Sequence, residues 1–93
     1  MATMYILKGT YTESGREFFL DKDGYVVNNI QYLRAHECYS SIKGAKIAAT
    51  RKTKTNAELV AYDKARNERR AAKGLEPFKA FNACVYEPYA LEI

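Results

Sequence analysis

The sequence predicts an α+β domain: an antiparallel β-sheet of four to five strands, packed on one face by one helix, with a second, basic helix inserted before the C-terminal strand. Three observations lead there. Both ends of the chain are rich in aromatic and branched residues, broken by glycine-bearing turns. The middle, from Ile42 to Lys73, holds strong helix formers and helix punctuation. A length of 93 residues allows one core and no more, so residues 1–93 form a single domain.

The elements follow in order. "MYILKGTY" (4–11) and "REFFL" (16–20) have strand composition, and "TESG" between them supplies turn chemistry, with Gly15 free to take positive φ. "DKDG" (21–24) makes a second turn and "YVV" (25–27) begins a further strand. Residues 28–36 fit helix or strand equally, and "ECYS" (37–40) reads as a short strand. Ser40 or Ser41 caps a helix from Ile42, with Ile42, Ala45, Ala48 and Ala49 on one side. "TRKTKT" (50–55) interrupts that helix or lets two helices meet at a bend. Thr55 and Glu58 form a capping box that opens a second helix over 56–73. Gly74 supplies a left-handed cap, and Pro77 forbids continuation.

The end, "FKAFNACVYEPYALEI" (78–93), returns to strand composition. Phe81, Ala83 and Val85 share one face while Ala80, Cys84 and Tyr86 share the other. Apolar residues on both faces predict an inner strand, with Pro88 disrupting the ladder and "YALEI" finishing as an edge.

Charge is polarised along the chain. From Ile42 to Lys73 ten basic residues stand against three acidic ones, a balance of +7, whereas the remainder carries −3. Such asymmetry points to an anionic partner. In the second helix Arg66, Arg69, Arg70 and Lys73 fall at i, i+3, i+4 and i+7, a cationic ridge on one face. Lys43, Lys46, Arg51, Lys52 and Lys54 extend the basic track. Arginines so placed suit phosphate or an acidic protein surface; they also suit a solvated helix end, where cations complement the macrodipole.

The remaining candidates are weaker. Eight tyrosines and four phenylalanines favour a core with a wet rim over a base-stacking platform, because no glycine-aromatic ribonucleoprotein signature accompanies them. "DKDG" begins like a calcium loop, yet Tyr25 stands where a third oxygen ligand belongs. His36, Cys38 and Cys84 make an incomplete zinc set with no standard spacing. Both cysteines read as buried, reduced thiols. Without a phosphate-binding glycine loop or a nucleophile motif, the expectation is a protein that is not an enzyme and needs no metal or cofactor. No apolar run spans a membrane and the start lacks a signal peptide's pattern, so a cytoplasmic protein is expected.

One pattern over residues 5–50 is familiar. "YILKG", "FFLDKDGYVV" and "CYSSIKGAKIAA" together resemble very small single-domain accessory proteins encoded by bacteriophages and prophages. The resemblance implies a compact ββ(β)αβ domain and carries no functional residue across. It also implies a protein that binds and blocks host machinery, including defence systems. The basic helix before the last strand departs from that pattern. The leading expectation is therefore a non-enzymatic inhibitor of a host or defence protein or nucleoprotein, acting through the basic surface. The alternative is direct DNA or RNA binding by helix 56–73.

Overall fold

In a computed structural model, described for residues 2–93, the chain forms a three-stranded antiparallel sheet and one long helix. Strand β1 spans Thr3–Tyr11, β2 Glu17–Leu20 and β3 Cys84–Glu92, in the order β2-β1-β3. Helix α1 runs from Ile42 to Ala72, and two 3-10 turns, Ile30–Tyr32 and Ala35–Glu37, lie in the connection before it.

The hairpin of β1 and β2 forms as expected. Gly15 takes φ 75°, and the register sets Gly9 opposite Phe18 and Leu7 opposite Leu20. At Gly9 the bare backbone leaves room for the tip of the Phe18 ring. A β-carbon there would sit 2.3 Å from Cζ of Phe18. That ring in turn meets Tyr11 at 5.0 Å and Tyr86 edge-on at 5.9 Å. Beside it Leu7, Leu20, Ala45 and Ala49 make the buried core, flanked by Tyr5, Tyr39 and Ala48. On the other face of the sheet Ile6 is fully buried next to Tyr89, whose ring packs on Phe19 at 4.9 Å. Lys8 bridges Glu17 and Glu87 across the same face, at 3.0 and 2.9 Å.

The sheet has three strands rather than four or five. "YVV" contributes a single bridge, Leu20 to Val26, and "ECYS" another, Tyr5 to Tyr39. "DKDG" is a turn: the Asp21 carboxylate accepts from the amides of Asp23 and Tyr25, both at 2.9 Å. Its buried carboxylate fixes a tight loop that leaves Tyr25 and Val26 exposed, so no strand extends from it. Residues 78–83 are not strand either, and β3, which begins only at Cys84, is an edge strand, with β1 as the inner one.

The expected second helix is the distal half of the first. α1 is continuous, capped by Ser41, whose Oγ accepts from the Gly44 amide at 3.1 Å. "TRKTKT" contains neither glycine nor proline, and lysine and arginine are good helix formers. Its Thr53 hydroxyl is taken by the Tyr86 amide at 2.9 Å. The Thr55–Glu58 box therefore has no orphan amides to cap, because the preceding turn already satisfies them. The far end is as expected. Gly74 adopts φ 72°, its amide bonds Ala71 O, and the Leu75 amide bonds Arg70 O at 2.9 Å, a complete Schellman motif.

A helix of this length spans about 46 Å, well beyond what the sheet covers. The radius of gyration is 16.3 Å, against about 12 Å for a compact chain of this size. Past Asn56 the helix side chains bond, apart from the Arg66–Asp63 pair within the helix, to segment 76–81, which runs back along the helix toward β3. The molecule is thus a small sheet domain bearing a helical arm.

Replacing Gly9 by alanine is expected to displace the Phe18 ring and destabilise the protein by about 1–3 kcal/mol, read by denaturant unfolding. An unchanged midpoint would show that the ring moves freely.

Candidate interaction surface

The arm is assembled by polar side chains on the inner face of α1. Thr53, Asn56, Asp63, Asn67 and Arg70 recur at three- and four-residue spacing (Asn56 to Asp63 counts two such steps), so they form one stripe. Each serves the main chain of the returning segment. The Cys84 amide donates to Asn56 Oδ1 at 2.8 Å, and Asn56 Nδ2 donates to Asn82 O at 3.0 Å. The Phe81 amide donates to Asp63 Oδ2 at 2.9 Å. Asn67 grips Phe78 twice, accepting from its amide and donating to its carbonyl, both at 3.0 Å. Arg70 Nε donates to Glu76 O at 2.6 Å. An extended backbone is thereby satisfied without a neighbouring strand.

The same arrangement protects the sheet edge. Ala2 and Ile93 exchange two bonds of 2.9 Å, which sets the β1–β3 alternation and leaves Pro88, opposite Leu7, at a non-bonded position. Its missing N–H therefore faces outward, where no partner is needed. The outward amides of Cys84 and Tyr86 are the two that Asn56 and Thr53 cap. Most of the β3 edge is closed to a further strand.

The predicted ridge divides. Arg66 pairs with Asp63 Oδ1 at 3.0 Å, and the aspartate is almost wholly buried. Its guanidinium lies 4.8 Å from the Phe78 ring and 5.7 Å from Tyr62, and its buried Nε has no hydrogen-bond partner. Arg70 stacks on Phe78 at 3.8 Å while holding Glu76 O. Both arginines thus hold the arm together. Arg69 and Lys73 are exposed.

At about 100° per residue, Arg51 and Arg69 share one angular position on α1, with Lys52, Thr55, Leu59, Tyr62, Arg66, Arg70 and Lys73 on the same flank and Glu58 at its outer rim. Lys54 and Lys43 lie about 60–80° from Arg51 toward the outer face, next to it on the surface, whereas Lys46 lies on the other flank. Among the described residues only Lys8 and Arg66 make ion pairs, so Arg51, Lys52, Arg69 and Lys73 keep their charges free.

Between these cations lie rings that the charge pattern did not reveal as part of the surface. Leu59 is 39% exposed, Tyr62 59%, Phe78 50% and Phe81 56%. Phe78 and Phe81 reach this flank because Asn67 and Asp63 fix their amides. The signal in the sequence was the stripe of Asn56, Asp63 and Asn67, amide and acid side chains where an inner helix face is usually apolar. A groove of about 340 Å³ lies at the proximal end, lined by Arg51, Lys52, Thr55, Leu59, Phe81 and Tyr86, with Asn56 at its floor. Burial pushes the Tyr86 phenol above its ordinary value, and its hydroxyl lies beside the Cys84 thiol.

The other candidates resolve simply. Cys38 and Cys84 are free, buried thiols, both raised in pKa by burial. Cys38 Sγ lies 3.5 Å from Arg34 O, and His36 is exposed beside it. Among the described residues no group of three His, Cys, Asp or Glu side chains converges to hold a metal. No described helix is long and apolar enough to cross a membrane. In comparisons with protein families, curated proteins and solved structures, nothing matches this chain.

Asp63→Ala removes the acceptor of both the Arg66 guanidinium and the Phe81 amide, leaving the amide unsatisfied and the half-buried Arg66 without its carboxylate. It is expected to cost about 3 kcal/mol in chemical denaturation, and Asp63→Asn less; a loss within experimental error would refute the structural role. Because a raised pKa leaves little thiolate below its value, both cysteines should react with a thiol-specific disulfide reagent at pH 7–8 far more slowly in native than in denatured protein. Equal rates would show that the thiols are accessible.

Proposed function

We propose that this chain is a non-enzymatic binding protein whose arm occupies an acidic face of a protein partner and blocks it. The observation that carries this reading is the composition of one flank: four exposed apolar side chains, Leu59, Tyr62, Phe78 and Phe81, interleaved with the free cations Arg51, Lys52, Arg69 and Lys73. Aromatic and arginine side chains are enriched where proteins meet and dominate binding when buried there. Stacking on Phe78 preorganises the Arg70 and Arg66 guanidiniums, which lowers the entropy lost on contact. The resemblance to small phage-encoded proteins directs the search to host and defence proteins of a bacterium, including nucleoproteins with acidic surfaces.

Direct DNA or RNA contact is the competing reading, favoured by the +7 balance of residues 42–73. It is the poorer fit. Lys46 lies on the other flank, and Arg66 and Arg70 are engaged within the arm. The proximal cations Lys43, Arg51, Lys52 and Lys54 are separated from Arg69 by about 22 Å of helix that carries Glu58, Leu59 and Tyr62 on this side. The free cations therefore fall in two groups rather than one track along a phosphate backbone.

The test combines capture from nuclease-treated bacterial lysate with anisotropy of labelled DNA and RNA at ~50 and ~200 mM salt. Capture should survive nuclease and fall at least ~10-fold for Tyr62→Ala or Arg69→Glu, since hot spots concentrate the energy. Tight nucleic-acid binding that drops steeply with salt, with small equal losses from Arg51→Ala, Lys52→Ala, Arg69→Ala and Lys73→Ala, would overturn it in favour of the competing reading.

A further inference from the structure

The groove at the root of the arm has chemistry that the rest of the flank lacks. One wall is the exposed edge of Leu59 and the Phe81 ring, and the other carries Arg51 and Lys52, with the Thr55 hydroxyl and the Tyr86 phenol between. Its volume of about 340 Å³ accommodates one large side chain together with a flanking carboxylate; it is open along the helix and does not enclose a small molecule. Neither cation has an acidic partner among the described residues, and the Lys52 ammonium lies beside Gly24 in the "DKDG" turn.

Phe81 is central to this wall and is held rigidly. Its amide is fixed by buried Asp63, and the next peptide's carbonyl, on Asn82, by Asn56. The ring is nevertheless more than half exposed, at 56%. A rigid backbone presenting an exposed ring is a poor use of a core residue and a good anchor for a ligand.

We infer that this groove is the anchor subsite for an acidic peptide segment of the partner, one that places an aromatic or long aliphatic side chain against Leu59 and Phe81 and an adjacent carboxylate on Arg51 and Lys52. The inference rests on the arm's role in binding protein and adds the recognition element: Asp or Glu next to a large apolar residue. A bidentate carboxylate on Arg51 and a hydrogen bond from Thr55 or Tyr86 give direction to the segment. A single-stranded nucleic acid presents a ring and an anion too, but its charges are spaced for a phosphate track, and beyond the groove the flank offers Tyr62 and the engaged Arg66 before the next free cation, Arg69.

The experiment is a ¹⁵N-labelled titration of the intact protein with a short synthetic peptide alternating Asp with Phe and Leu. The same peptide with Asn for Asp, and an oligothymidylate, serve as comparisons. Saturable shifts are expected at the amides of Arg51, Lys52, Thr55, Leu59, Phe81 and Tyr86. Affinity should fall ~10-fold or more for the Asn peptide and for Arg51→Ala. Thr55→Glu, an exposed change that leaves the Asp63 and Asn67 bonds intact, should abolish the shifts while the fold is retained. Shifts confined to Tyr62, Arg69 and Lys73 would overturn the groove as anchor and leave the arm's binding role standing. Stronger groove shifts with oligothymidylate than with the acidic peptide would overturn the peptide assignment. No saturable shift at millimolar peptide would overturn it as well.

Discussion

The hydrogen bonds from Thr53, Asn56, Asp63, Asn67 and Arg70 to the main chain of residues 76–86 are the constraint on which the arm depends. A chain leaving a helix at Gly74 and entering a strand at Cys84 must run back along the distal half of that helix in extended form. Extended backbone that lies against protein needs partners for its amides and carbonyls. Here the helix supplies them from side chains, at roughly 1 kcal/mol net for each bond. The small buried core of Leu7, Leu20, Ala45 and Ala49 stabilises only the sheet end, so these polar bonds are what hold the distal half together.

Several features follow from this one device. The helix continues through "TRKTKT" because Thr53 and Asn56 are already engaged with β3. The edge of β3 from Cys84 to Pro88 is closed by the same two side chains and by the proline. The chain returns with Phe78 and Phe81 turned to one flank, and Phe78 gives Arg66 and Arg70 a ring to stack on. A surface of mixed charge and apolar character thus arises from the bonding of the backbone beneath it, and its shape is fixed before any partner arrives.

Much of the sheet end was legible in the sequence. "TESG" before "REFFL" specified the hairpin, the Ser40–Ser41 pair the start of the helix, and Gly74 its end, because each of these is decided by local geometry. The second helix and the extra strands were misread for physical reasons. Thr55 and Glu58 match a capping box, but a box acts only where amides lack partners, and helix from Ile42 had already supplied them. "FKAFNAC" has strand composition, yet its partner is a row of side chains rather than a strand. Arg66, Arg69, Arg70 and Lys73 share one arc of the helix; what periodicity did not show is that Asp63 and Phe78 engage two of the four.

The most direct test of the account is amide hydrogen exchange, residue by residue, in the native protein. Phe78, Phe81, Cys84 and Tyr86 have no strand partner for their amides; only side chains of α1 accept from them. The account predicts slow exchange at all four, with Asn67→Ala releasing Phe78 while Leu7 in β1 stays protected. Exchange at Phe78 and Phe81 as fast as in an unfolded chain would contradict it, and the arm would then be a bare helix with a loose tail.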